Sequence, residues 1–266
     1  METEPLSQTL FDPVVFQTAV WAWFGLCAAT LAALLFITAP YGRHSRSGWG
    51  PRVDARLGWM AMELPAAVVF PALFLTSGRP ANLADLAFLL LWEIHYLQRT
   101  FVYPFLLSRG SAPMPLAIPV LAVIFNLVNA YLQAGWLFRV GPGHGVDWLR
   151  DPRFGLGAAL FLIGLAINWH SDAVLRRLRK ANETEYKVPH GGLFRWVSCP
   201  NYLGEMIEWA GWAIATWSLP GVAFACWTVV NLAPRAFAHH RWYQQRFPDY
   251  PIGRRAIFPA IYRRTI

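Results

Sequence analysis

The chain has 266 residues, 56% hydrophobic and only 14% charged, with 14 Trp, 18 Phe and a formal net charge of +8. So apolar a composition does not suit a water-soluble domain, and no basic stripe outside the loops offers a nucleic-acid partner its footprint. The three cysteines, Cys27, Cys199 and Cys226, are odd in number and scattered, so no disulfide framework is implied.

A hydrocarbon core about 30 Å thick needs roughly 20 mostly apolar residues per helical span. Seven segments qualify: Val14–Ala39, Gly58–Thr76, Leu83–Leu107, Pro115–Phe138, Phe154–Val174, Tyr202–Leu219 and Gly221–Ala238. The first follows the acidic METEPLSQTLFDP and is too long for the core of a cleaved signal peptide. The second carries Glu63 inside it. The third carries Glu93, His95, Tyr96, Gln98 and Arg99, with Tyr96, Arg99 and Tyr103 on one helical face. A carboxyl group in hydrocarbon favours its neutral form, which can donate a hydrogen bond; Tyr96 is a second donor. The blander alternative is a structural Glu63–Arg99 bridge. The fourth span leads to GPGHG, Gly141–Gly145, which reads as an ordinary loop.

The last three spans hold most of the remaining ionisable groups. Asn168 and Asp172 stand four apart at the end of the fifth, with Arg176 and Arg179 continuing that side. HGGLF, His190 to Phe194, is a turn whose backbone a ligand can approach closely. Asn201, Glu205 and Glu208 stand at i, i+4 and i+7 in the sixth span, and Arg235, His239 and Tyr243 repeat every four residues in the seventh. A very short SLPG connection makes the last two a tight antiparallel pair. Three polar stripes therefore meet at one depth. Polar groups inside a membrane span are costly, and mark a functional site by default; the bland reading is that Glu205 or Glu208 pairs with Arg235 to pack the helices.

The basic residues fix the orientation. With the N-terminus outside, seventeen of the 23 Lys and Arg fall on the inner side, four on the outer side and two within spans, as the positive-inside rule requires. The expected architecture is a single all-α integral membrane domain, residues 1–266, with seven transmembrane helices and a cytosolic C-terminus. The scarcity of lysine (Lys180 and Lys187 alone) suggests a GC-rich, bacterial genome. There is no G-x-G-x-x-G after a strand and no G-x-x-x-x-G-K-[ST], so a nucleotide would be held neither by a Rossmann fold nor by a P-loop. A chamber of Arg, His, Asn and carboxylates suits a cytosolic ligand with phosphates. The His239-His240 pair is a weak metal signal, since consecutive helix residues face different directions, and no metal site is expected.

The run NWHSDAVLRRLRK, YKVPHGGLFRWVSCPNYLGEMIEWAGWAIATWSLP and RAFAHHRWYQQRFPDYP closely resembles the steroid 5-alpha-reductase family, as do, more thinly, HYLQRTFVYPFLL and the ELP around Glu63. The resemblance implies a multi-pass membrane enzyme that moves hydride from NADPH to the 4,5 double bond of a 3-oxo-4-ene steroid. It implies that Glu63 and Tyr96 hydrogen-bond the substrate ketone, with Met62 and Arg99 beside the substrate. It implies an NADPH set of Asn168, Asp172, Arg179, Tyr186, Asn201, Glu205, Arg235, His239 and Tyr243. Spans 1–4 would then build the substrate pocket, and residues 154–266 the cofactor site. Where the mammalian pattern has Gln before the catalytic Glu, this chain has Met62, which removes one amide from the pocket. Partners implied are a steroid or related lipid enone and membrane lipid, around a monomer in the bacterial cytoplasmic membrane or, in a eukaryote, the endoplasmic reticulum. A reductase of a polyprenal or enoyl thioester would use the same site. An S-adenosylmethionine-dependent membrane methyltransferase would carry Arg-His before the Pro and Tyr, where SCPNYLGE has neither.

Overall fold

The computed structural model describes residues 9–37, 48, 50–107, 112–178 and 185–259. It is built of helices: α1 Pro13–Phe36, α2 Ala55–Leu75, α3 Leu83–Leu97, α4 Ala117–Gly135, α5 Pro152–Arg177, α6 Pro200–Thr216 and α7 Leu219–Arg246. Two residue pairs, Arg52–Val53 (β1) and Met114–Pro115 (β2), join antiparallel between the starts of α2 and α4. Among the described residues α1, α2, α5, α7 and the run Ala117–Val140 are long and apolar enough to cross a membrane. The remaining two expected spans are the shorter α3 and α6, of 15 and 17 residues.

Short polar side chains set the helix starts. Asp12 accepts from the amides of Val14 and Val15, with Pro13 in the first turn; Asp54 does the same for Arg56 and Leu57. Asn82 and Asp85 form a reciprocal capping box on α3, and Asp151 and Ser218 open α5 and α7, each with a proline in the first turn. Each cap satisfies amides that have no partner within the helix. The ends moved further from expectation. α3 passes into a π-helical segment, Gln98–Val102, and one more α turn, Tyr103–Leu106. α7 runs to Arg246, well beyond Ala238, so Arg235, His239 and Tyr243 lie on one uninterrupted helix.

In lipid the driving force between helices is close packing rather than escape from water, and this chain uses rings and glycines for it. Trp92 of α3 is the centre, stacked on Phe70 of α2 at 4.5 Å and tilted against Trp212 of α6 at 5.3 Å; Trp209 lies 4.2 Å from Phe224 of α7. α5 and α6 meet through four glycines. A Cβ on Gly157 or Gly164 would run into the backbone of Ala215 or Glu208, and one on Gly204 or Gly211 into that of Asn168 or Phe161. α6 and α7 turn back on each other through Trp217, whose φ of 44° is left-handed, and pack through Leu203 and Met206 against Leu232 and Ala236. The tight pair expected from SLPG is present.

Candidate active site

The glycine contact draws the polar ends of α5 and α6 together. Asn168 Nδ2 donates to Glu205 Oε1 at 3.0 Å and to the Asn201 carbonyl at 3.2 Å, and Asn201 Nδ2 donates to Asp172 Oδ1 at 3.3 Å. Arg99 arrives from the π-helical segment after α3. Its guanidinium stands 3.3 Å from Asp172 Oδ2 and 3.6 Å from Glu205 Oε1, over the rings of Trp59 at 4.8 Å and Tyr103 at 4.7 Å. The wider turn of the π-helix keeps Arg99 and Tyr103 on the inner face together. One buried cation between two carboxylates, Asp172 buried and Glu205 half-buried, leaves one more acid than base in the network.

α7 brings its stripe alongside. The His239 ring is 5.7 Å from that of Tyr202, Tyr243 is stacked on Tyr250 at 5.3 Å and 9°, and Tyr186 meets Trp242 edge-on at 5.1 Å. Arg235 sits one turn before His239, half-buried. The C-terminal segment closes beneath. Ser198 Oγ is 2.6 Å from both His240 Nδ1 and the Tyr250 hydroxyl and donates to the Arg255 carbonyl at 3.1 Å, while Val197 and Arg255 form a parallel bridge. In HGGLF, Gly191 and Gly192 take φ of 94° and 49°, and the group closest to Gly192 is the His170 ring. Arg179 lies outside the described residues.

The other pole is formed by α2, α3 and α4. Asn126 Nδ2 donates to the Met62 carbonyl at 2.6 Å and to Glu63 Oε2 at 3.4 Å. Tyr96 is buried, with Trp92 at 4.6 Å and Trp209 at 5.9 Å, inside the electrostatic reach of Glu63, Glu205 and Glu208. Asn129 stands beside it with its Nδ2 unpartnered. Among the described residues no ion pair joins Glu63 to Arg99; Arg99 turns to the carboxylates of α5 and α6 instead. Glu205 and Glu208, either of which would pair with Arg235 in the blander reading, face different partners. Glu205 faces Arg99 and Asn168, while Glu208, 0% exposed, holds His95 Nδ1 at 2.7 Å.

Sequence reasoning passed over one stripe. Asn126, Asn129 and Gln133 stand at i, i+3 and i+7 in α4, all buried. Gln133 Oε1 accepts from Trp212 Nε1 at 2.8 Å and its Nε2 donates to the Pro220 carbonyl at 2.8 Å. The helical period was the available signal. Among the described residues no group of three or more His, Cys, Asp or Glu gathers as metal ligands. The arrangement is thus two poles, Glu63 and Tyr96 with the amides of α4 at one and the charged cluster around Arg99 at the other.

Comparison with known proteins bears on what the two poles do. The family profile described as 3-oxo-5-alpha-steroid 4-dehydrogenase matches residues 112–262. "3-oxo-5-alpha-steroid 4-dehydrogenase 1" of Bos taurus is 45% identical over 232 residues, covering 86% of this chain and 90% of the relative. The Rattus norvegicus protein of the same name is 43% identical over 254 residues, 95% of each chain. "Steroid 5-alpha-reductase DET2" of Arabidopsis thaliana is 42% identical over 244 residues, 88% of this chain and 91% of the relative.

Proposed function

The chain belongs to the 3-oxo-5-alpha-steroid 4-dehydrogenase family, and from that premise we propose that it reduces the 4,5 double bond of 3-oxo-4-ene steroids with hydride from NADPH. The observation that supports the division of labour is that buried Tyr96 lies within electrostatic range of Glu63, while Arg99 is turned to Asp172 and Glu205. The residues fit a dinucleotide on chemical grounds. Asn168 Oδ1 is buried without a partner, an acceptor left for an amide or hydroxyl of the cofactor. Arg235, His239 and Tyr243 line up on α7 to receive phosphates, and Tyr186, Asn201, Glu205, Asp172 and Arg179 complete the set.

When bound, the nicotinamide supplies the hydride for the carbon β to the ketone. Negative charge then develops on the ketone oxygen, and the Glu63 carboxyl and Tyr96 hydroxyl donate to it. Donors fixed in advance at the atom that gains charge stabilise the transition state more than the bound ketone. Asn126 holds Glu63 from α4, and the rings of Trp92 and Trp209 hold Tyr96 and keep water out. Arg99 closes the boundary between the two halves by pairing with Asp172 and approaching Glu205. The α-carbon of the enolate takes its proton afterwards.

In this reading seven helices cross the membrane with the N-terminus outside and the arginine-rich loops in the cytosol, where NADPH is bound. Turnover of a 3-oxo-4-ene steroid by Glu63→Gln and Tyr96→Phe tests the proposal. Each lowers kcat by about 100-fold or more with folding and NADPH affinity retained; near-normal reduction by both contradicts it. Substitution of Arg179 or Arg235 instead raises the NADPH concentration needed for half-maximal rate, and an unchanged titration removes them from the phosphate site.

A further inference from the structure

The lipid-facing surface is indented between the first turns of α2 and α4. Leu57, Gly58 and Ala61 form one wall and Pro119, Val120 and Val123 the other, enclosing about 380 Å³. Among the described residues no ionisable side chain lines this groove. At its inner end α2 continues to Met62 and Glu63 and α4 to Asn126, whose amide joins the Met62 carbonyl and Glu63. The groove therefore opens to the acyl chains within one helical turn, on both α2 and α4, of the residues that hold the carboxyl group assigned to the ketone.

Two local features keep it open. A Cβ on Gly58 would stand 2.8 Å from Met114 Sδ, so any larger residue there closes the outer end against β2. Pro65 lies inside α2 and has no N–H to offer Ala61, four residues earlier, so the wall is short of one helical rung and can flex. The opposite approach is closed to an apolar molecule by Arg99, Asp172 and Glu205, since passing between them would separate Arg99 from its carboxylates.

We propose that this α2–α4 groove is the port by which a 3-oxo-4-ene steroid leaves the membrane, ketone end first, to reach Glu63. The proposal rests on the reductase reading and adds the route and its walls. A rigid four-ring skeleton with one polar end suits an apolar slot of this volume, within the range of small-molecule pockets. Asn126 acts as a latch. Its bond to Glu63 is weaker and longer than its bond to Met62 and is the one exchanged when the ketone oxygen arrives.

Ala61→Trp and Val123→Trp test the port by filling it. Each raises KM for testosterone by about tenfold or more, with the NADPH dissociation constant and thermal midpoint unchanged. Leu90→Trp on the lipid face of α3, where Leu90 is 69% exposed, keeps KM near wild type. On the unaltered protein, a photoreactive 3-oxo-4-ene steroid labels peptides containing Ala61 or Val123, and testosterone competes. Wild-type KM in both tryptophan variants overturns the port, and so does labelling displaced by phospholipid but not by testosterone. Failure of the wild-type protein to reduce any steroid overturns instead the reductase reading beneath it.

Discussion

Two carboxyl groups of this chain, Glu208 buried and Glu63 half-buried, have opposite surroundings, and the contrast separates structure from chemistry. Glu208 is sealed against His95 at 2.7 Å, whereas Glu63 has only a long contact from Asn126 at 3.4 Å. Removing Glu208 strands a buried imidazole. Glu208→Ala is therefore expected to destabilise the protein by roughly 1–3 kcal/mol, while Glu208→Gln keeps an oxygen toward Nδ1 and lowers the thermal midpoint much less. An equal loss for the two would mean that the bond to His95 contributes nothing. At Glu63 the same pair of changes should affect turnover and leave the midpoint unmoved. A third group reports on pH. His144, in the loop before α5, lies between Phe88 at 5.1 Å and Trp148 at 4.5 Å. Burial pushes its imidazole below the ordinary 6.5, with Arg79 and Arg153 acting in the same direction and Asp85 and a backbone hydrogen bond at Thr216 against it. The folded state thus prefers the neutral ring. That stability is complete above about pH 6.5 and is lost as the pH falls below it. Thermal midpoints at pH 7.5 and 5.5 should differ less in His144→Gln than in wild type; an unaltered difference would assign the pH dependence elsewhere.

At the scale of elements, the α5–α6 contact decides whether the proposed cofactor site can form. Gly157, Gly164, Gly204 and Gly211 let the two backbones touch, and only at that separation do Asn168 and Asn201 reach across. Gly164→Leu should push the helices apart, with loss of NADPH binding and lower yield of folded protein, while Gly155→Leu, where a Cβ meets nothing within 4 Å, should be silent. Equal behaviour of the two would show that close approach is not required. The stripes themselves were legible, because i, i+4 spacing of Asn168 with Asp172 and of Asn201 with Glu205 states which residues share a face. Their partners were not. Nothing local in the sequence says that Arg99 turns to Asp172 rather than Glu63, since that depends on the π-helical turn at Gln98–Val102 and on how α3 meets α5. The stripe of Asn126, Asn129 and Gln133 had the same period but carried amides, and charges drew the eye first.

For the whole molecule the arrangement proposed is a bundle whose lipid side admits the apolar substrate and whose arginine-rich end admits the charged one. Composition alone points to the membrane, and the uneven arginine distribution points to an orientation. Helix length sees less: α3 and α6 are short because α3 changes to a π-helix at Gln98 and α6 stops at the left-handed Trp217. Single cysteines introduced at Arg150 and Arg246, in a variant without the native three, should react with an impermeant maleimide from opposite sides. Labelling of both from one side would require a different number of crossings.

The central claim is a hydride passing from NADPH to the carbon β to a steroid ketone. It is tested most directly by incubating the purified protein with testosterone and NADPH deuterated at the transferable position. The account predicts a 5-alpha-dihydro product with one deuterium at C5, formed in step with NADPH oxidation and nearly absent for Glu63→Gln. Deuterium at another carbon, or oxidation of NADPH without a reduced steroid, would contradict it.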